Sequence, residues 1–237
     1  MRTIVVSVVA LLAASGTAKG QTAAATSELR GQVMDGPKAV ARAVVTYSRE
    51  FPKDTDPTAA MSIAEADDQG NFAFTGLMAG TYILCASASP ALKLVPTCEY
   101  TATPLKKTLQ AGEKAAGITI AMEKGARIEF RVDDPFKLLP LNRAAASGKE
   151  VRVGFRSAEG MMHHAIWDSR DGLGREYSII VPHGKPLNIV MLGVQLNVED
   201  ELGISAEKSQ NAKTPVVTGP NDAPRRYNYK VKHDGKN

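Results

Sequence analysis

One stretch of the chain, residues 70–86, constrains the fold more than any other. It reads GNFAFTGLMAGTYILCA. Phe72 and Phe74 alternate with small or polar residues. After a short connection bounded by glycines, Tyr82 and Leu84 alternate in the same way with the residues at 81, 83 and 85. Alternation with a period of two indicates a strand with one buried face, and glycine permits the backbone of a tight turn. The stretch therefore predicts two strands joined by a short connection. Its structural residues are Gly70, Phe72, Phe74, Leu77, Gly80, Tyr82 and Leu84.

The same stretch resembles the core motif of the carboxypeptidase regulatory-like domain, a transthyretin-like (prealbumin-like) β-sandwich related to Cna-B modules. Asp67 and Asp68 match the acidic turn before the motif, and LRGQV at 29–33 and AVVTY at 43–47 match the family's first two strands. The resemblance covers residues 28–123 and implies a β-sandwich. The residue pattern predicts its strands near 28–34, 40–47, 60–66, 71–75, 80–87, 98–103 and 116–122, with a boundary at residues 123–125. The resemblance does not fix a function, because such modules host many roles.

Related Cna-B modules form an internal cross-link between a lysine on the first strand and a late glutamate. The first strand here offers Arg30 and no lysine, and the strand after the Tyr82 motif offers Cys85 rather than glutamate. This departure argues against a self-made cross-link.

The N-terminus has the order of a secretory signal peptide. Arg2 precedes the apolar run TIVVSVVALLAA at 3–14, and small residues then lead to a cleavage site near Gly20. A buried strand or a retained anchor is the alternative. We expect residues 1–20 to be removed, residues 21–27 to form a flexible lead-in, and the exported chain to be secreted or periplasmic without a transmembrane segment. Removal lowers the formal charge from +4 to +2, so the charge says little about partners.

The pattern after residue 123 predicts a second β-rich domain, 124–237. Ile128, Phe130 and Val132 alternate with charged residues, and further strands are expected at 150–156, 161–167, 176–181 and 187–193. Residues 205–224 are predicted to form a long polar loop before a closing strand. The fold class expected for the whole chain is all-β, a transthyretin-like sandwich followed by a second sandwich.

Cys85 and Cys98 are the two cysteines of a chain expected to be exported, which favours a disulfide between them. Redox and haem motifs are missing from the sequence, and two cysteines are too few for a structural zinc site. Alternation places Cys85 on the strand face opposite Tyr82 and Leu84. Closing this loop is expected to stabilise the fold by roughly 3 kcal/mol.

No residue pattern points to a catalytic centre, a cofactor or a metal. The sequence contains no G-x-S-x-G, P-loop or H-E-x-x-H motif, and His163 and His164 would point to opposite faces of a strand. Asp54, Asp56, Asp67 and Asp68 match a calcium loop only in part, and a solvated loop and a hairpin turn are the alternatives. The basic strand near the C-terminus is expected to be half-buried, so no nucleic-acid partner is predicted.

Trp167 and Tyr177 are the residues we expect to contact a ligand. Aromatic platforms are typical of sugar-binding sandwiches, but aromatic residues make up only 5% of this chain and a lone tryptophan also suits a core. The function predicted is an exported, non-catalytic binding or scaffolding module whose partner is an envelope protein or glycan. The alternatives are a carbohydrate- or peptide-binding accessory of an exported enzyme or outer-membrane receptor, and a hydrolase with an unrecognised site.

Overall fold

The computed structural model describes residues 26–50, 61–101, 103–140 and 148–233. The predicted signal peptide, Asp54 and Asp56 lie outside these residues. The described chain is all-β apart from two very short helical segments, a 3-10 turn at Pro90–Leu92 and α1 at Gln210–Lys213.

The first sandwich contains eight strands and the first part of a ninth. These are β1 (Ser27–Asp35), β2 (Lys38–Ala39), β3 (Val44–Glu50), β4 (Met61–Glu65), β5 (Asn71–Leu77), β6 (Gly80–Ser87), β7 (Leu94–Val95), β8 (Leu105–Leu109) and β9 (Lys114–Asp133). One sheet has β1 between β5 and β9, with β1 and β9 parallel, and the other has the order β4-β3-β6-β8.

Side chains from both sheets bury a single cluster. Phe72 and Phe74 of β5 meet Tyr82 and Leu84 of β6, and Leu29 comes from β1. The Tyr82 hydroxyl donates a hydrogen bond to the Met78 carbonyl (2.7 Å), which fixes the connection before its own strand. The alternation in residues 70–86 therefore corresponds to two strands, one in each sheet of the sandwich.

The second sandwich begins with the later part of β9. The remaining strands are β10 (Glu150–Arg156), β11 (Met162–His164), β12 (Ile166–Arg170), β13 (Gly174–Pro182), β14 (Asn188–Val194), β15 (Asn197–Asp200) and β16 (Arg225–Lys232). One sheet has the order β12-β13-β9-β16-β15 and the facing sheet β11-β10-β14. Phe130, Phe155 and Val231 are fully buried between them.

The strand β9 belongs to both sandwiches. Ile120 and Met122 lie in the first core, whereas Ile128 and Phe130 lie in the second. The sequence predicts two strands separated at residues 123–125, but the structure has one strand of 20 residues, about 65 Å long. Gly125 does not break it, because this residue is paired opposite Pro182 in the β9–β13 ladder.

Two other strand predictions are wrong. Residues 98–103 were expected to form a strand, but the disulfide bonds Cys98 to β6 and Tyr100 has a left-handed backbone (φ 58°). The strands on either side of this segment are β7 and β8. Residues 161–167 were expected to form one strand, but they divide into β11 and β12, which join different sheets. The division at Ala165 creates the site described next.

Candidate functional site

A groove opens where the chain crosses from one sheet of the second sandwich to the other. β11 covers only the end of β10, and the amide of Ala165 then donates to the Val153 carbonyl (2.8 Å) before β12 joins the opposite sheet. The groove has a volume of about 710 Å³. We call it the Trp167 groove; its described lining includes Lys149, Glu150, Arg152, His164, Ile166, Trp167, Arg175 and Tyr177.

Trp167 and Tyr177 lie side by side in this groove. They are directly paired in the β12–β13 ladder, so their side chains share one face of the sheet. Trp167 is half-buried, and its indole nitrogen donates to the Ser169 carbonyl (2.8 Å), whereas Tyr177 is buried. The two residues that the sequence singled out are therefore neighbours in space.

Arg175 fixes the tryptophan from the next strand. Its guanidinium carbon lies 4.4 Å from the centroid of the Trp167 ring, a cation–π geometry, and the same group donates to the carbonyl of Pro140. Arg175 is buried, with 5% of its surface exposed. A buried guanidinium held on both sides orients the indole, so the aromatic surface is set before any ligand arrives.

The groove carries more positive than negative side chains. Its described lining includes three basic side chains, Lys149, Arg152 and Arg175, and one carboxylate, that of Glu150. Glu150 is engaged by Arg152 in an ion pair of 3.0 Å. Asp168, the nearest acid on β12, is held by Arg127 (2.7 Å). Both of these carboxylates are therefore already paired with arginines.

The sequence did not predict the parts played by Arg175, Arg152 and His164. A usable signal was the turn at 171–173, because a hairpin there brings the strand that follows Trp167 back beside it. The adjacent histidines do point apart, since His163 is buried and His164 is exposed at the groove.

His163 lies instead at the junction of the two sandwiches. Its ring stacks on Tyr100 with centroids 3.9 Å apart, and burial lowers the pKa of the imidazole. Burial also raises the pKa of the Tyr100 phenol. Within the described part of the chain, neither the Tyr100 hydroxyl nor Nε2 of His163 has a hydrogen-bond partner. Lys185 donates to the backbone carbonyl of Tyr100 (2.6 Å).

The disulfide between Cys85 and Cys98 is confirmed. It closes a loop of residues 86–97, which we call the disulfide loop. Within that loop Leu94 packs in the first core and the next residue, Val95, packs in the second. Tyr100, two residues after Cys98, also packs in the second core. The loop also pairs with β9 at the sandwich junction. Leu94 and Val95 lie opposite residues 124 and 123 of β9, and the amide of Gly125 donates to the Lys93 carbonyl (2.8 Å). One covalently closed loop thus contacts both cores.

Asp67 and Asp68 are engaged as turn residues. Asp67 accepts hydrogen bonds from the amides of Gln69 and Asn71 and from the Asn71 side chain (2.8–3.0 Å), and Asp68 pairs with Arg42. These contacts lower the pKa of Asp67, first through the Asn71 side chain. Both carboxylates are therefore engaged within the turn, as the hairpin-turn alternative predicts.

The described residues contain no group of three or more histidine, cysteine or acidic side chains arranged to hold a metal ion. No helix among the described residues has the length and apolar character needed to cross a membrane.

No family model and no curated protein matches the chain. Among solved structures, the chain is similar to the Streptococcal ancillary pilin, with 14% identity and a TM-score of 0.39 over 87% of this chain and 62% of that one. For the minor pilin of Streptococcus agalactiae the values are 12% and 0.36, over 88% and 98%. For the TIE protein of Bacillus anthracis they are 11% and 0.34 over 88% of this chain, which spans about a third (34%) of that protein.

Proposed function

We propose that this protein is an exported, non-catalytic binding module of the cell envelope, and that its ligand-binding surface is the Trp167 groove. One observation carries the proposal: the half-buried ring of Trp167 lies in an open groove, with the buried Arg175 held against it and the buried Tyr177 beside it. Such preorganised aromatic surfaces with a few polar groups are typical of ligand sites.

The two sandwiches form the frame for this site. We propose that residues 28–123 are a carboxypeptidase regulatory-like domain, which the buried Phe72, Phe74 and Tyr82 motif supports, and that residues 124–237 are a second β domain. The division between them then falls inside β9. A continuous strand and the disulfide loop that packs in both cores favour a fixed arrangement of the two sandwiches, which suits a scaffolding role.

Export is supported by the disulfide, since such bonds persist in oxidising compartments. We propose that residues 1–20 direct secretion or periplasmic localisation and are cleaved near Gly20. A structural role fits Cys85 and Cys98, because their loop packs in both cores rather than opening to a substrate.

A binding role fits the groove better than hydrolysis. Glycoside hydrolysis needs two carboxylates across the substrate, whereas the one carboxylate among the described lining residues, Glu150, is paired with Arg152. The second candidate, a carbohydrate- or peptide-binding accessory of an exported enzyme or receptor, uses the same groove and differs only in the partner that carries the catalytic or transport step.

Sedimentation with isolated envelope fragments tests the proposal. We expect the exported protein to cosediment saturably, and Trp167→Ala to weaken binding by tenfold or more, as expected for a central aromatic contact. Trp167→Phe, which keeps most of the packing, should lose less, and Leu202→Ala, at an exposed position that does not line the groove, should bind like the unaltered protein. Equal binding by Trp167→Ala and the unaltered protein would refute the groove as the binding surface.

A further inference from the structure

A short edge strand forms one wall of the Trp167 groove. This strand, β11, has three residues, and in the described part of the chain it pairs with β10 alone. Its last residue, His164, lines the groove, and the chain then passes through Ala165 to Trp167. A displacement of β11 therefore changes the groove directly.

The side chain of His163 holds β11 from outside the sheet. Its ring is buried, with 6% of the residue exposed, and it stacks on Tyr100 with centroids 3.9 Å apart and an angle of 29° between the planes. Tyr100 lies just beyond the disulfide, and its backbone carbonyl accepts a hydrogen bond from Lys185 (2.6 Å). The stack thus attaches β11 to a segment that is itself fixed.

Charged groups of the second sandwich act on His163 with opposite signs. The carboxylate of Glu159, in the turn between β10 and β11, favours the protonated ring, and the adjacent His164 opposes it. Arg156 is exposed and alternates with Phe155, the residue paired with His163, so it lies on the other face of β10. Burial outweighs Glu159, because the net effect is a lowered pKa of the imidazole.

The segments around Tyr100 contribute one cation and one acid. Lys185 adds a positive charge, and Glu99 lies beside Tyr100 and acts on the pKa of its phenol. His183, in the same turn as Lys185, contacts a threonine hydroxyl instead (3.5 Å). Within the described residues, Nε2 of His163 has no hydrogen-bond partner, so a proton there would be buried without an acceptor, which is costly. The stack therefore accommodates the neutral ring.

We propose that the Tyr100–His163 stack is a pH-sensitive switch for the Trp167 groove. While His163 is neutral, the stack holds β11 in place and the groove keeps its wall. When His163 takes up a proton, its ring leaves the stack to reach solvent, β11 loses this attachment, and the wall at His164 is displaced. This inference rests on the proposed binding function of the groove and adds its regulation, with binding at neutral pH and release in acid.

Trp167 reports the switch without any ligand, because it is the only tryptophan in the sequence. Acrylamide quenching of its fluorescence is measured on the full exported chain from about pH 7.5 to about pH 4.5, across the range in which histidine titrates. We expect quenching to rise in acid, with a midpoint below pH 6.5 and unchanged far-UV circular dichroism. His163→Gln, which stays neutral, should lack the rise, whereas the matched control His164→Gln should keep it.

Sedimentation with envelope fragments tests the consequence for binding. One pH unit below the midpoint, only about a tenth of the molecules keep the neutral ring, so the apparent affinity of the unaltered protein should fall about tenfold. His163→Gln should bind equally well at neutral and acid pH. A rise in quenching with an unchanged affinity would overturn the regulation of binding.

Two results would overturn the switch itself: the same rise in quenching in His163→Gln, or no rise in the unaltered protein. Glu159→Gln, a change at an exposed turn position, gives a second check that does not alter a buried residue. Loss of the carboxylate that favours the proton should move the midpoint to lower pH, and an unshifted midpoint would also overturn the role of His163. The sedimentation of Trp167→Ala decides the proposed function separately, because the quenching transition needs no ligand.

Discussion

Removing the disulfide is expected to weaken the second sandwich as well as the first. The perturbation is Cys85→Ser with Cys98→Ser, which opens a loop closed over a sequence separation of 13 residues. In the chain-entropy model a loop of this size constrains the unfolded state by about 3 kcal/mol. Because Val95 of that loop and Tyr100, just beyond Cys98, pack in the second core, part of the loss should appear there.

The assay is urea unfolding followed by two signals. Far-UV circular dichroism reports both sandwiches, whereas the fluorescence of Trp167 reports the second one. We expect the double variant to shift both transitions to lower urea, by a total of about 3 kcal/mol in unfolding free energy. A shift in circular dichroism with an unchanged Trp167 transition would refute the coupling, and no shift in either signal would refute a stabilising disulfide. The unaltered protein measured with dithiothreitol serves as the matched control.

Three further predictions concern the sandwich junction. Gly125→Ala should lower the thermal midpoint, at a cost of about 1–3 kcal/mol, because a Cβ there would overlap the Val181 carbonyl; an unchanged midpoint would contradict this packing. Tyr100→Phe should be neutral or stabilising by about 1 kcal/mol in urea unfolding, since it removes a buried hydroxyl without a described partner, and a large loss would show that the hydroxyl is bonded. Burial lowers the pKa of His163, so the unfolded chain binds a proton at this residue more readily than the folded chain does. The contribution of His163 to the free energy of unfolding should be fully present above about pH 6.5 and be lost as the pH falls through the native pKa. A pH series of unfolding midpoints measures this, and the same loss at acid pH in His163→Gln would contradict the assignment.

Alternation alone predicted many strands, because one face of each is buried. Phe72, Phe74, Val153 and Phe155 all lie where a period of two places them. The continuity of β9 was not predictable from that pattern, since Gly125 resembles a boundary residue and its place in a ladder depends on Pro182, which is far away in the sequence.

The sequence predicted only part of the site, because contacts between residues far apart in the chain cannot be read from local alternation. The two aromatic residues, Trp167 and Tyr177, were identified by type, but their contact depends on the register of a hairpin with an irregularity between Trp167 and Ser169. The cation under the ring, Arg175, and the opening between β10 and β12 depend on the chain changing sheets at Ala165, which no local pattern marks.

Site-specific crosslinking in the native envelope tests the central claim most directly. A photoreactive residue is placed at Ile166, at the Trp167 groove, and in a matched protein at Leu202, which is 82% exposed and does not line the groove. The account predicts that the Ile166 position reproducibly captures an envelope component and that the Leu202 position does not. Capture that is equal at the two positions, or capture at neither, would contradict a binding function for this groove.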